Sequence, residues 1–402
     1  MKNVFIINNY EMSLANGIGA YIKQLVNCLR QEKNITISII ELYSYSEHFH
    51  IDTEDGVTHF YFPKFETGVS LEKVNMVIDT FLSLYISDCK NNIFLFNYCP
   101  ASNLMAMIKS SHPLSKQLYI VHNMGWTALF KGDDKEFEKS FDKDHTPDKR
   151  IAFVYKEELR MCTLADKIIC LCDDTFRVLK TCYPPSNGKV ICINSGLETS
   201  DDKFEKKEVI REHFGLRPDD IIILFVGRVN ELKGAEVLIE AFKNVANHLS
   251  GCILVMIGFV TNVNKTLKQI YPFTSRVLLT GELERRDVSR WYHIADIGVI
   301  PSYTEQCSYV GLEMLSYGLP VVCSDGYGVR NMFKEDYNGL VAHISDKKDS
   351  KKFIYNLTQK IEDVVKSREL REHIGKMNKK VFEQMYSLKI MKEKYLYLFE
   401  DL

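Results

Sequence analysis

Short apolar runs alternate with stretches of helical period along most of the chain. Residues 3–8 form the first run. Apolar positions at Ile18, Ile22, Leu25, Val26 and Leu29 then recur at the spacing of one helix face, which predicts a strand followed by a helix over 18–29. Further strands are predicted at 35–40, 59–62, 93–97, 117–122, 167–172 and 189–193, with helices between most of them. The rhythm stops at 195–207, where the texture is polar and without period, and a linker is placed there. It restarts with the uninterrupted apolar run 221–226, suited to a central parallel strand. A helix over 235–249, strands at 253–257, 277–280 and 296–301, a helix over 308–317 ended by Gly318-Leu319-Pro320, a further apolar run through Cys323, and helices over 352–365 and 388–399 complete the pattern. Strands alternating with helices imply parallel, doubly wound sheets, hence an α/β fold.

A chain of 402 residues exceeds what one core usually holds, so the break divides it into domains 1–195 and 208–385, with 386–402 a final helix. A balance of 46% hydrophobic and 26% charged residues with net charge −2 argues against bulk nucleic-acid binding and against a strongly basic membrane-docking surface. The apolar core of residues 1–8 is too short for a secretory signal, and no run spans a bilayer, so the expected location is cytoplasmic with at most peripheral membrane contact. Eleven cysteines, an odd number, fall mainly in apolar runs such as 169–172 and 190–192 without a Cys-x-x-Cys pair. They read as core packing in a reduced compartment, with no structural metal. Cys307 has no base adjacent in sequence and reads as a packing or loop residue.

Two stretches concentrate the chemistry. In the first, Glu305 lies in the elbow after a strand, where open α/β sheets bind ligands, and Glu313 lies about a turn inside the following helix, whose free N–H groups can hold an anion. A phosphorylated ligand fits between two such acids. In the second, Gly227-Arg228-Val-Asn-Glu-Leu-Lys233-Gly234 places a planar guanidinium and a point-charge ammonium in a strand-to-helix loop, the makings of a diphosphate clamp. Weaker signals are the Gly17-Ile18-Gly19 elbow between the first strand and helix, either a close backbone approach to a ligand or a tight turn, and His122 at a strand end. The charged segment 131–145 is either a mobile flap or a solvated insertion, and its Asp142-Lys-Asp144 follows no apolar strand, so no metal is assigned to it.

The Glu305–Glu313 pair in its strand, Pro-Ser, Glu, helix, Gly-x-Pro, strand setting resembles the E-x7-E signature of retaining glycosyltransferases of the GT-B fold, in particular family 4. The stretch from Gly227 to Gly234 resembles that family's G-R-x4-K-G pattern. The resemblance implies two Rossmann-like domains facing across a cleft, the last helix crossing back to the N-terminal one. It also implies a metal-independent hexosyltransferase that moves a hexose-type sugar, with retention, from a UDP- or GDP-sugar to a glycan, lipid-linked or peptide acceptor. No cofactor beyond the nucleotide-sugar donor is implied. By the same resemblance Arg228 and Lys233 neutralise the leaving phosphate, Glu305 contacts the transferred sugar and His122 contacts the donor. Glu313 binds the ribose, while Gly17, Gly19, Gly227 and the backbone of Gln306, Cys307, Ser308 and Tyr309 lie against the donor. The family's usual glycines after the first glutamate are replaced by Gln306 and Ser308. A sugar-nucleotide epimerase of the same fold, a non-catalytic partner subunit and a nicotinamide-dependent oxidoreductase are the alternatives; the first would not usually carry both patterns, the second is disfavoured by the presence of Arg228, Lys233 and Glu313 together, and the third by Ile22 at the third glycine position.

Overall fold

The computed structural model describes residues 1–14, 17–140, 148–199 and 204–402. Asp142-Lys-Asp144 and residues 200–203 of the linker lie outside the described residues. The chain divides into two compact units: unit 1 holds Met1–Trp126, Asp134–Gly196 and Leu388–Leu402, and unit 2 holds Thr127–Asp133 and Leu197–Ser387. A run of seven residues from the N-terminal half is thus part of unit 2.

Unit 1 is built on β1 (Lys2–Asn9), β2 (Ile35–Ser44), β3 (His50–Glu54), β4 (Val57–Pro63), β5 (Asn92–Phe96), β6 (Lys116–Val121), β7 (Lys167–Cys170) and β8 (Val190–Cys192), in the order β3-β4-β2-β1-β5-β6-β7-β8. β1 sits between β2 and β5, with Val4 opposite both Ile37 and Ile93. The purely parallel expectation is corrected at one edge, where β3 pairs antiparallel with β4 and His50 stacks on Tyr61 at 4.8 Å. All five residues of β3 are exposed, so it has no buried face to leave an alternating trace in the sequence.

β1 is followed by a short helix α1 (Tyr10–Leu14) and then α2 (Gly17–Leu29), which buries Ile18, Tyr21, Ile22, Leu25 and Leu29. The expected Gly17–Gly19 elbow is therefore corrected: both glycines lie in the first turn of α2. A Cβ on Gly19 would stand 2.6 Å from the Ser13 carbonyl oxygen, so the close approach this glycine permits is to α1. The helix Leu388–Glu400 packs on α2, and the hydroxyls of Tyr395 and Tyr21 share a short hydrogen bond.

Unit 2 carries β9 (Ile221–Val226), β10 (Cys252–Ile257), β11 (Val277–Gly281), β12 (Ile297–Ile300), β13 (Val321–Ser324) and β14 (Leu340–Ala342), all parallel, in the order β11-β10-β9-β12-β13-β14. The apolar run of β9 serves both faces. Ile223 and Phe225 pack with Leu238 and Phe242, while Ile222 and Leu224 pack with Leu312 and Leu315. A strand covered on both sides has no polar face to display, which is why its sequence is continuous rather than alternating. All eleven cysteines are free and seven are buried, as packing residues would be. Among the described residues no helix is long and apolar enough to cross a membrane.

Candidate functional site

Most of the expected site residues gather at the carboxyl ends of β9 and β12, within unit 2. β9 leads into Gly227, whose φ of 138° is open only to glycine, and its N–H donates to the Ile257 carbonyl at 2.8 Å. The loop then carries Arg228 and Lys233 to the start of α3 (Ala235–His248), where Gly234 caps the helix at φ 67°. A Cβ on Gly234 would stand 2.1 Å from the Pro301 carbonyl oxygen, so the start of α3 is pressed against the exit of β12. The two exits are also tied by the Tyr303 N–H, which donates to the Leu232 carbonyl at 2.9 Å.

The β12 exit bends under similar constraint. The Glu305 N–H donates to the Tyr327 carbonyl at 2.9 Å, and Gly328, at φ 74°, leaves only 2.1 Å between the place of a Cβ and the Glu305 carbonyl oxygen. The loop ends at α4 (Tyr309–Tyr317), where Ser308 accepts from the Gly311 N–H at 3.3 Å and Gly318, at φ 67°, closes the helix. Gln306 and Ser308 are buried, and Cys307 is half-buried.

This backbone brings side chains together that lie 72 residues apart: Lys233 Nζ is 2.5 Å from Glu305 Oε1, which also accepts from Ser302 Oγ at 2.9 Å. Arg228 is exposed, and its guanidinium has no hydrogen-bond or ion-pair partner among the described residues. One cation is thus held on a carboxylate, and the other is open to solvent. An anion meeting this strand end finds a point charge, a planar fork and the positive end of α4.

Glu313 stands apart from that pair. Tyr292 donates to its Oε2 at 2.8 Å, and Arg285 Nη1 lies 3.3 Å from its Oε1. Burial raises its pKa, and the Tyr292 hydroxyl and Arg285 charge hold it back. It lines a cavity of about 250 Å³ with Leu283, Arg285, Ser289 and Tyr292. A larger cavity of about 940 Å³ opens beside Ile221, Asp296 and Pro320, the amino ends of β9, β12 and β13. Of these two cavities the smaller is the one lined by an expected site residue, Glu313.

Gly17, Gly19 and His122 belong to unit 1. His122 follows β6, its Nε2 donates to Asn97 Oδ1 at 2.9 Å, and its ring meets Tyr21 edge-on at 4.6 Å. The Asn97 amide donates to the Leu95 carbonyl, which turns Oδ1 toward the histidine and leaves Nδ1 of the imidazole as the acceptor. Burial pushes the His122 pKa down to about 3, so the ring is neutral at neutral pH. Tyr21, Asn97, Arg285, Tyr292 and Ser302 escaped the sequence reading. Asn97 and Ser302 stand at strand ends, a signal that was legible; nothing in the sequence pairs Tyr292 with Glu313 across 21 residues.

Residues 206–381 match the protein-family description Glycosyl transferases group 1. The D-inositol 3-phosphate glycosyltransferase of Xylanimonas cellulosilytica is 31% identical over 141 residues, which is 34% of this chain and 33% of that protein. Across the first three curated relatives the matched stretch spans 33%, 64% and 53% of the relative, so the chain spans less than two thirds of their length. Sucrose-phosphate synthase from Thermosynechococcus elongatus superposes with TM-score 0.76 at 16% identity, over 100% of this chain and 99% of that one. HepE from Anabaena, solved in complex with UDP, superposes with TM-score 0.70 at 14% identity over 100% of both chains. Residues 206–381 thus resemble the Glycosyl transferases group 1 domain, in a chain whose α/β fold matches solved structures of GT-B glycosyltransferases.

Proposed function

We propose that the chain is a retaining, family 4 glycosyltransferase that moves a hexose-type sugar from a UDP- or GDP-sugar to a hydroxyl of a glycan, a lipid-linked sugar or a peptide. The observation that carries this reading is the cation pair at the ends of β9 and β12: Lys233 poised on Glu305, and Arg228 exposed without a partner among the described residues. It is supported by the match to glycosyl transferases, by relatives named as glycosyltransferases and by a structural neighbour solved with UDP. In the reaction the bond from the anomeric carbon to the diphosphate oxygen breaks, a bond to the acceptor oxygen forms, and the acceptor's proton leaves with the diphosphate. Negative charge grows on the leaving phosphate. Arg228, Lys233 and the N-terminus of α4 are aimed at that charge, so most of the catalysis is electrostatic and needs no divalent metal. Lys233 gives up part of its contact with Glu305 to reach the phosphate, and the freed Glu305 oxygen then orients the sugar. Glu313 takes the ribose hydroxyls, with the backbone of Gly227 and of residues 306–309 along the donor. Gly17, Gly19 and the neutral His122 are the donor contacts assigned to unit 1. A cytoplasmic location with at most peripheral membrane contact accompanies the reading.

The test is a donor screen in chelator. UDP-, GDP- and ADP-sugars are offered one at a time and followed for nucleoside diphosphate release and for protection against thermal unfolding. One nucleotide class should protect, with turnover lowered at least about 100-fold in Arg228→Ala and in Lys233→Ala. A protein that neither binds nor hydrolyses any of them would be a non-catalytic subunit instead.

A further inference from the structure

Between Arg228 and Lys233 the candidate clamp carries a residue of the wrong sign, Glu231. Left to itself, its carboxylate would compete with an incoming anion for the two cations. Lys131 meets it: the ammonium lies 2.5 Å from Glu231 Oε1, 3.2 Å from the Lys347 carbonyl oxygen and 5.6 Å from the centre of the Tyr303 ring. The ammonium thus has three contacts, one of them an aromatic face, which orient it on a carboxylate that is itself 64% exposed.

The backbone that delivers Lys131 is unusual. Lys131 has φ 46° and Gly132 φ 68°, two successive left-handed residues, the first with a side chain that disfavours the conformation. Gly132 backs onto the other loop of the site. A Cβ there would stand 2.6 Å from the Tyr303 carbonyl oxygen and 3.0 Å from Thr304 Cβ, so no residue larger than glycine fits without displacing the segment that leads to Glu305. This two-residue turn comes from the short run Thr127–Asp133 that unit 2 takes from the N-terminal half. The segment 131–145, read from the sequence as either a flap or a solvated insertion, is at Lys131 and Gly132 a turn packed against Tyr303 and Thr304.

We infer that Lys131 is a positioning residue of the donor site: it masks the Glu231 carboxylate so that Arg228 and Lys233 present their charge to the diphosphate of the ligand. The inference rests on the donor reading above and assigns a role to a residue that no motif of the second half contains. Lys131 does not touch the ligand; it acts through Glu231.

The test is calorimetric titration of the full chain with UDP, GDP, ADP and inorganic pyrophosphate. Wild type, Lys131→Ala, Lys131→Arg, Glu231→Gln and the double variant Lys131→Ala/Glu231→Gln are compared. Lys131→Ala should weaken whichever probe binds wild type by about tenfold, a deficit that shrinks in high salt as the unmasked carboxylate is screened. Lys131→Arg should bind like wild type, and the double variant should return to within about twofold of it, because removing the charge of Glu231 removes the need for its mask. A merely structural lysine would not be rescued by a second substitution. If Lys131→Ala does not fold, Lys131→Gln carries the same expectation. Unchanged binding in the single variant, or a double variant no better than the single, overturns the inference while leaving the donor reading intact. Failure of wild type to bind any probe overturns both.

Discussion

Replacing Gly234 by alanine tests the joint on which the site is built. Two terms add. An alanine held at φ 67° pays about 1–2 kcal/mol for a left-handed backbone. Its Cβ would also stand 2.1 Å from the Pro301 carbonyl oxygen, roughly an ångström inside ordinary contact, and overpacking of this kind costs about 1–3 kcal/mol. The entropy lost from the unfolded chain returns about 0.4–1 kcal/mol, leaving a net loss near 3 kcal/mol. In a unit of about 200 residues that corresponds to a fall in Tm of about 6–12 °C. Gly215→Ala is the control, since Gly215 has φ 69° in the same unit with nothing within 4 Å of the added Cβ, and it pays the backbone term alone. Thermal unfolding of the two variants beside wild type separates the steric part. If Gly234→Ala melts no lower than Gly215→Ala, the start of α3 is not pressed on the β12 exit, and the account of how Lys233 and Glu305 are held side by side fails. If the expected gap is found, donor turnover should fall with it, because relief of the clash moves Pro301 and the loop beyond.

Tyr292→Phe should leave the buried Glu313 carboxylate without its hydroxyl donor, raising its pKa further and costing about 1–3 kcal/mol, read as lower Tm and weaker nucleoside diphosphate binding. Arg285→Gln should cost less, since its guanidinium is largely exposed and lies 3.3 Å from the acid; equal losses would contradict the burial argument. Glu158, buried in unit 1 with Tyr183 and Gly125 as donors, has its pKa raised by burial from 4.5 to about 7. The neutral acid therefore contributes stability that is complete below about pH 4.5 and lost as pH rises to about 7, a total of about 3 kcal/mol. Denaturation at pH 5 and pH 8 should show this loss in wild type and not in Glu158→Gln; parallel pH profiles for the two proteins would refute it.

What the sequence disclosed follows from what burial writes into it. β9 was legible because both its faces are covered, and the helix that became α4 because Ser308 and Gly318 mark its ends by capping chemistry. β3 left no trace because all its residues face solvent. The Gly17–Gly19 pair was ambiguous because glycine serves two needs that look alike in one dimension, a ligand's approach and another helix's approach, and the Ser13 carbonyl beside Gly19 shows the second of them. At the candidate site, Arg228, Lys233, Glu305 and Glu313 could be proposed from sequence because each lies in a local pattern. Lys131 meets Glu231 from 100 positions away and Tyr292 meets Glu313 from 21, and no local pattern records a contact made only by folding.

The hydroxyl pair of Tyr21 and Tyr395 has a bearing on how the protein is made. Residues 388–402 belong to unit 1 yet leave the ribosome after the whole of unit 2, about 190 residues behind the rest of their own unit. At roughly 5–20 residues per second the first-made sheet waits about 10–40 s with the Tyr21 side of α2 uncovered. During that interval the nascent chain presents an apolar helix face whose partner does not yet exist. The closing step of the N-terminal fold is thus set by translation of the C-terminal one, and slowing elongation there lengthens the time for which a chaperone must shield α2.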